Sequence, residues 1–202
     1  NPGWQRHTLI SGVPRPINAD AWDTDGDGIP EIALAYQFGT NPEKSAGILV
    51  LLTHGADVRR PWTARELDRA PTAHRVRWID PDGQGGKLLL VAPMVGQRFP
   101  PQEGDPAPIY VYRPGQWQRV LLSSVPRGVL HAIHPVNWDG DARQQLLTAS
   151  YAGLHRLELR AGQWSATLIA EGDSWFDYPV PFFGGGIIPQ TDLAALTEAI
   201  ER

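Results

Sequence analysis

Short apolar runs separated by polar turns rich in glycine, proline, aspartate and asparagine make up most of this chain. Several of the runs are almost continuously apolar, such as those at positions 48–53, 87–92 and 108–113. Short runs bounded by turn residues predict β-strands, and continuous apolarity indicates strands that are covered on both faces. The pattern therefore predicts an all-β chain built from many short strands and tight turns.

The predicted strands fall into three units of four. They span residues 17–21, 31–37, 48–53 and 62–67 in the first unit, 74–79, 87–92, 108–113 and 117–122 in the second, and 131–137, 145–151, 153–159 and 164–170 in the third. A leading strand at 4–10 matches the fourth strand of a unit, because each of these segments opens on a tryptophan.

An acidic turn recurs between the first and second strands of each unit. The three copies begin at Asp23, Asp80 and Asn137, a constant spacing of 57 residues. A fixed period of this size is typical of repeat architectures. Most of the tryptophans keep to the same period, so we expect them to pack between units, with a stacking platform for sugar rings as the alternative.

Four-stranded units in tandem predict a partial β-propeller of about three blades. The blades cover residues 13–67, 71–122 and 128–170, and residues 171–202 form a tail outside the propeller. A short C-terminal helix is predicted at 191–202, where Thr191 suits the N-cap and Leu193, Leu196 and Ile200 share one face. Because an open stack leaves unpaired edges, we expect further propeller blades or a second chain to complete the ring.

Composition narrows the possible partners. The chain of 202 residues is 42% hydrophobic and 20% charged, a globular balance, and contains no cysteine. Its net charge is −4 with no basic stripe, so we expect no nucleic-acid partner. No apolar run reaches the roughly 18 residues of a membrane helix, so we expect no membrane partner.

The first acidic turn is a candidate calcium loop. Asp23, Asp25 and Asp27 stand at alternate positions, and Glu31 follows at the ninth. This is how a short loop wraps oxygen ligands around Ca²⁺, although the acid at position 12 is replaced by Leu34. The other copies lose carboxylates, as they carry Gln84, Asn137 and Gln145. A turn closed by hydrogen bonds to backbone N–H groups is the alternative.

Three histidines are candidates for another divalent metal. His74 and His131 occupy the same place in successive units, so they should face the same way. His134 lies three residues after His131, a spacing that puts the two on opposite faces of a strand. Such histidines bind either a metal or a polyol, or hydrogen-bond to a neighbouring unit.

The segment DTDGDGIPEIALAY at 23–36 resembles the FG-GAP or VCBS repeats of β-propellers. Within that group, HRVRWIDPDG at 74–83 and HAIHPVNWDGD at 131–141 look like the blades of aldos-2-ulose dehydratase-like proteins. The resemblance implies a propeller that serves as a binding platform, an adhesion module or part of an enzyme. It also favours an extracellular or periplasmic location.

The tail carries a second resemblance. AEGDSWFDYP at 170–179 is similar to the first conserved block of SGNH (GDSL-type) hydrolases, which implies Ser174 as a nucleophile. The chain lacks the Gly-x-Asn-Asp block and the late Asp-x-x-His of that family. A serine without a base has no route to activation.

Three hypotheses for function follow. The first is a non-catalytic module that binds carbohydrate or protein and holds Ca²⁺ at the first acidic turn. The second is the propeller part of a metal-dependent sugar dehydratase or lyase that uses His74, His131 or His134. The third is the remnant of a fusion with an SGNH hydrolase, with Ser174 as its nucleophile.

Overall fold

The computed structural model describes residues 3–171, which form an all-β protein of three four-stranded antiparallel sheets. The strands are β1 (Asn18–Trp22), β2 (Glu31–Tyr36), β3 (Ile48–Thr53), β4 (Thr63–Arg69), β5 (Ala73–Ile79), β6 (Leu88–Pro93), β7 (Ile109–Tyr112), β8 (Val120–Ser123), β9 (Leu130–Val136), β10 (Gln145–Ser150), β11 (Gly153–Arg160) and β12 (Gln163–Ala170). A single turn of 3₁₀ helix at Pro42–Lys44 is the only helix within residues 3–171.

Each sheet is built from four strands that follow one another in sequence. Sheet 1 has the order β1-β2-β3-β4, sheet 2 the order β5-β6-β7-β8 and sheet 3 the order β9-β10-β11-β12. The central strands are the continuously apolar ones, and β3 and β6 are almost fully buried. The fourth strands β4, β8 and β12 are the most exposed of each sheet, as the polar sequence of β4 predicts, whereas β8 exposes the apolar Val120 and Leu121.

The twelve strands predicted for the three units are all present, and only β8 departs by more than two residues at an end. It begins at Val120 rather than at Trp117. Trp117 has φ 54°, in the left-handed region, and its N–H donates to the Arg113 carbonyl at 2.9 Å. The tryptophan therefore belongs to the turn that precedes the strand.

The prediction of a leading strand at 4–10 is wrong. These residues form no strand, and Trp4 is 92% exposed. A strand needs successive backbone hydrogen bonds to a neighbouring edge. This segment instead meets sheet 1 through a bond from Trp62 N–H to the Leu9 carbonyl at 2.8 Å. The helix predicted at 191–202 lies outside the described residues.

The sheets pack face to face in series, with sheet 2 between the other two. One apolar core joins sheets 1 and 2, where Leu49 and Leu51 meet Val76, Trp78 and the rest of the buried set. A second core joins sheets 2 and 3. A third cluster, of Ile48, Val50 and Leu52 with Ile10 and Trp62 around it, covers the far face of sheet 1.

Polar bonds supplement these cores between the first strands of sheets 1 and 2. The Asn18 side chain accepts from Val76 N–H at 2.9 Å, and Asp20 accepts from Trp78 N–H at 2.8 Å. Strand β5 is at the edge of its sheet, so these N–H groups have no partner strand of their own. Side chains of β1 thus satisfy the edge of sheet 2.

Within residues 3–171 there is no helix that is both long enough and apolar enough to cross a bilayer.

Candidate functional site

The acidic turn between β1 and β2 brings three carboxylates together. Asp23, Asp25 and Asp27 each place one oxygen within 4.8 Å of the others. Asp23 also closes the turn, since its two oxygens accept from Gly26 N–H at 2.7 Å and from Gly28 N–H at 2.9 Å. The Gly28 amide is the largest influence on Asp23, and such bonds hold its pKa below the usual value.

The other two carboxylates each use one oxygen within the turn. Asp25 accepts from Asp27 N–H at 3.2 Å, and Asp27 accepts from Ile29 N–H at 2.8 Å. Asp25 and Asp27 are exposed. The turn is therefore held by its own hydrogen bonds, and the exposed Asp25 keeps one carboxylate oxygen that makes no bond within the turn. Both a calcium loop and a turn closed by hydrogen bonds are compatible with this arrangement.

The corresponding turn of sheet 2 has the same hydrogen bonds with fewer carboxylates. Asp80 accepts from Gly83 N–H at 2.9 Å and from Gly85 N–H at 2.8 Å, as Asp23 does from Gly26 and Gly28. Asp82 accepts from Gln84 N–H at 3.1 Å, where Asp25 accepts from Asp27. The turn geometry does not depend on a third carboxylate.

In the corresponding turn of sheet 3, the acidic side chains pair with arginines. Asp139 pairs with Arg156 at 3.2 Å, and Asp141 forms an ion pair with Arg143. Among residues 3–171, the only group of three or more acidic, histidine or cysteine side chains with ligand atoms close together is the one at Asp23, Asp25 and Asp27.

Glu31 lies outside that group. It is 2% exposed, and its Oε2 accepts from Thr24 N–H at 2.8 Å and from Thr24 Oγ1 at 2.6 Å. In sheet 3 Gln145 has the same place, and its Oε1 accepts from Trp138 N–H at 2.8 Å. Glu31 therefore closes the turn by accepting hydrogen bonds from Thr24. In sheet 3 the side-chain amide oxygen of Gln145 accepts the equivalent backbone bond.

His54, which the sequence analysis did not select, contacts the acidic turn. Its Nε2 lies 2.9 Å from Asp27 Oδ2, and its Nδ1 lies 2.8 Å from the Gly55 carbonyl. Both partners are acceptors, so the doubly protonated ring satisfies both bonds. The Gly55 carbonyl, followed by Asp27, raises the pKa of His54 above its usual value. Since Ile32 pairs with Leu52, the register of β2 and β3 carries residue 54 to this turn.

The structure brings His74 and His131 together but leaves His134 apart. The rings of His74 and His131 are 5.8 Å apart, and the Phe38 ring lies 5.4 Å from His74. His134 pairs across the sheet with Leu147, and β9 continues past it to Val136. For the part of the chain described, none of these histidines belongs to a group of three ligands.

His74 is nearly buried, and its Nδ1 has no hydrogen-bond partner. Burial is the main reason that its pKa falls to about 4, and the nearby Arg75 and His131 act in the same direction. The ring is therefore neutral at physiological pH. Burial also lowers the pKa of His131, with Arg75 as the second cause.

Most of the tryptophans among residues 3–171 pack into the cores, as predicted, whereas Trp4 is exposed. Trp78 is 4% exposed in the core between sheets 1 and 2 and meets the Trp117 ring edge-on at 6.3 Å. Trp22 packs against the same core and lies 4.9 Å from Lys87 Nζ. The candidate nucleophile Ser174 lies outside the described residues.

Comparison of the chain with protein-family models gives no match, and comparison with curated proteins gives none either.

Proposed function

We propose that this chain is a β-propeller repeat module with a binding or scaffold role, for carbohydrate or protein, and that its first acidic turn binds Ca²⁺. The observation that carries the calcium part is the convergence of Asp23, Asp25 and Asp27 within 4.8 Å on an exposed turn. The serial packing of four-stranded sheets supports the module part, because propeller blades pack face to face in this way.

The interfaces between sheets also favour a scaffold. Several polar side chains stabilise the fold: Asn18 and Asp20 accept hydrogen bonds from β5, and Glu31 accepts one within the acidic turn. Further blades or a second chain beside sheets 1 and 3 remain part of this proposal. No observation in the described residues favours the sugar lyase or the SGNH hydrolase, so neither is proposed.

The chemistry of the turn suits low-affinity binding of a hard cation. Ca²⁺ takes six to eight oxygen ligands, and three carboxylates with water can begin such a shell. The bidentate acid of a high-affinity loop is absent, since Leu34 stands at position 12. We therefore expect a dissociation constant on the order of 10⁻⁴–10⁻³ M, as in extracellular calcium modules.

Calcium titration with matched variants tests the proposal. Asp25→Ala removes an oxygen from the group of three, whereas Asp82→Ala removes the equivalent carboxylate of sheet 2, which makes the same kind of backbone bond. Calorimetry should show one site in the parent and in Asp82→Ala, and none in Asp25→Ala. Calcium should also raise the melting temperature of the first two proteins only.

Two results would overturn the calcium part. One is the absence of both heat and a thermal shift in the parent at 10-fold the expected dissociation constant, about 10 mM. The other is equal binding by the parent and by Asp25→Ala.

A further inference from the structure

Two arginines of β5 lie side by side with no carboxylate partner. Arg75 and Arg77 are half-buried and separated by one residue, so both side chains leave the same face of the strand. Among residues 3–171, neither guanidinium has a carboxylate oxygen within 4.0 Å, although Arg69, Arg119 and Arg143 each have one. Asp20, the acid of the neighbouring first strand, is already bonded to two backbone N–H groups.

The hydrogen bonds of these arginines hold them in place without neutralising them. Arg75 Nε donates to the His131 carbonyl at 3.0 Å, across the boundary between sheets 2 and 3. Arg77 Nη1 donates to the Asn18 side chain at 2.7 Å and to the Val76 carbonyl at 2.7 Å. All three acceptors are neutral. Each guanidinium is thus oriented by one side of its fork, and donors remain on the other side.

The surroundings make two adjacent positive charges unfavourable. Burial, and after it Arg77, lowers the pKa of Arg75. The neutral His74 lies alongside, and its nearly buried Nδ1 has no partner. A buried polar atom and two like charges that lack partners indicate a site where a bound ligand can supply the missing partners.

We propose that Arg75 and Arg77, together with His74, His131 and Phe38, form a binding site for an anionic ligand that bears hydroxyl groups, such as a uronic acid. The guanidinium forks suit a carboxylate, which they can bind through paired N–H donors. The Phe38 ring, 5.4 Å from His74, supplies an apolar surface for the face of a sugar ring.

This site names a ligand for the binding role proposed above, and it uses none of the carboxylates of the acidic turn. Its failure would leave the calcium titration unaffected, and a failure of the calcium titration would not touch it. The two experiments are therefore independent.

Titration of the full chain with D-glucuronate tests the inference. Binding by calorimetry at low salt should be at least about tenfold weaker in Arg75→Gln and Arg77→Gln than in the parent. Arg113→Gln is the matched control, because Arg113 is exposed and also has no carboxylate partner within the described residues. D-glucose, which replaces the carboxylate with a neutral group, should bind at least about tenfold more weakly than glucuronate.

Folding and specificity need separate controls. Arg77→Lys keeps the charge and loses the fork, so it should bind with intermediate affinity while its melting temperature stays near that of the parent. Sulfate tests for a general anion site. The inference is overturned if the parent does not bind glucuronate, if glucose or sulfate binds as tightly, or if folded Arg75→Gln and Arg77→Gln bind as the parent does.

Discussion

At the scale of single residues, one backbone N–H in the acidic turn determines which side chain is needed at the start of the following strand. Thr24 and Trp138 each present an N–H, and a buried Glu31 or Gln145 accepts it. In sheet 2 the corresponding residue is Pro81, which has no N–H to satisfy. Leu88 then occupies the place of Glu31 and Gln145. Glu31, which the sequence suggests as a metal ligand, is thus explained by its hydrogen bonds to Thr24 within the turn.

This relation predicts the effect of substituting Glu31. Glu31→Gln should change the free energy of unfolding by less than about 0.5 kcal/mol, because Gln145 does the same in sheet 3. Glu31→Leu should lower it by about 1–3 kcal/mol, because both donors of Thr24 lose their acceptor. Urea unfolding measures both changes.

The double variant Thr24→Pro, Glu31→Leu copies the pair found in sheet 2. It should recover part of the stability lost in Glu31→Leu, and a double-mutant cycle gives the coupling. Equal stability of the parent and Glu31→Leu would show that the two hydrogen bonds of Thr24 contribute nothing.

At the scale of strands and loops, the apolar pattern predicts the strands well and the irregular parts poorly. The four strands of each sheet follow from short apolar runs between turns, and β3 has the predicted bounds. The segment 4–10 has the same pattern as β4 but forms no strand, and the pattern alone does not show whether a segment pairs with an edge. His54 and the arginine pair depend on register between strands, which composition does not reveal.

Bulges are a further feature that the sequence does not show. The register of β5 shifts around His74 and that of β9 around His131, so each histidine is an extra residue on its strand. A bulge turns its extra side chain away from the regular alternation. This is why the two rings meet, whereas simple alternation places His131 and His134 on opposite faces.

The loop between β6 and β7 supplies a prediction at this scale. It is stitched to the start of sheet 3 by bridges from Val95 to Val129 and from Pro106 to Arg127. A Cβ at Gly96 would lie 2.2 Å from the Pro106 carbonyl oxygen, so Gly96→Ala forces the two sides of the loop apart.

We expect Gly96→Ala to lower the free energy of unfolding by about 1–3 kcal/mol in thermal or urea unfolding. Gly104→Ala in the same loop is the control, since a Cβ there meets no atom within 4 Å. It should change stability by less than about 0.5 kcal/mol. If both variants unfold alike, the close approach at Gly96 is not what fixes the loop.

At the scale of the whole molecule, the sheets are joined by polar clusters as well as by apolar cores. Asp68 of sheet 1 accepts from Tyr112 of sheet 2 at 2.6 Å and from Arg119, which directly precedes β8 of that sheet, at 2.6 Å. Burial alone would raise the pKa of Asp68, but these hydrogen bonds outweigh it and lower the pKa below 3.8. Because Asp68 belongs to sheet 1 and Arg119 directly precedes a strand of sheet 2, their ion pair reports on the contact between sheets.

Breaking this pair should therefore weaken the protein more than breaking an exposed pair on the same strand. We expect Asp68→Asn to lower the free energy of unfolding by about 1–3 kcal/mol, because Arg119 loses its counter-charge and the buried Tyr112 hydroxyl loses a charged acceptor. Glu66→Gln breaks the exposed pair with Arg69 and should cost less than about 0.5 kcal/mol. The lowered pKa of Asp68 gives stability at neutral pH that is lost as the pH falls below about 3.8. The difference between the parent and Asp68→Asn in urea unfolding should shrink over that range, and a constant difference would show that the charge of Asp68 does not hold the two sheets together.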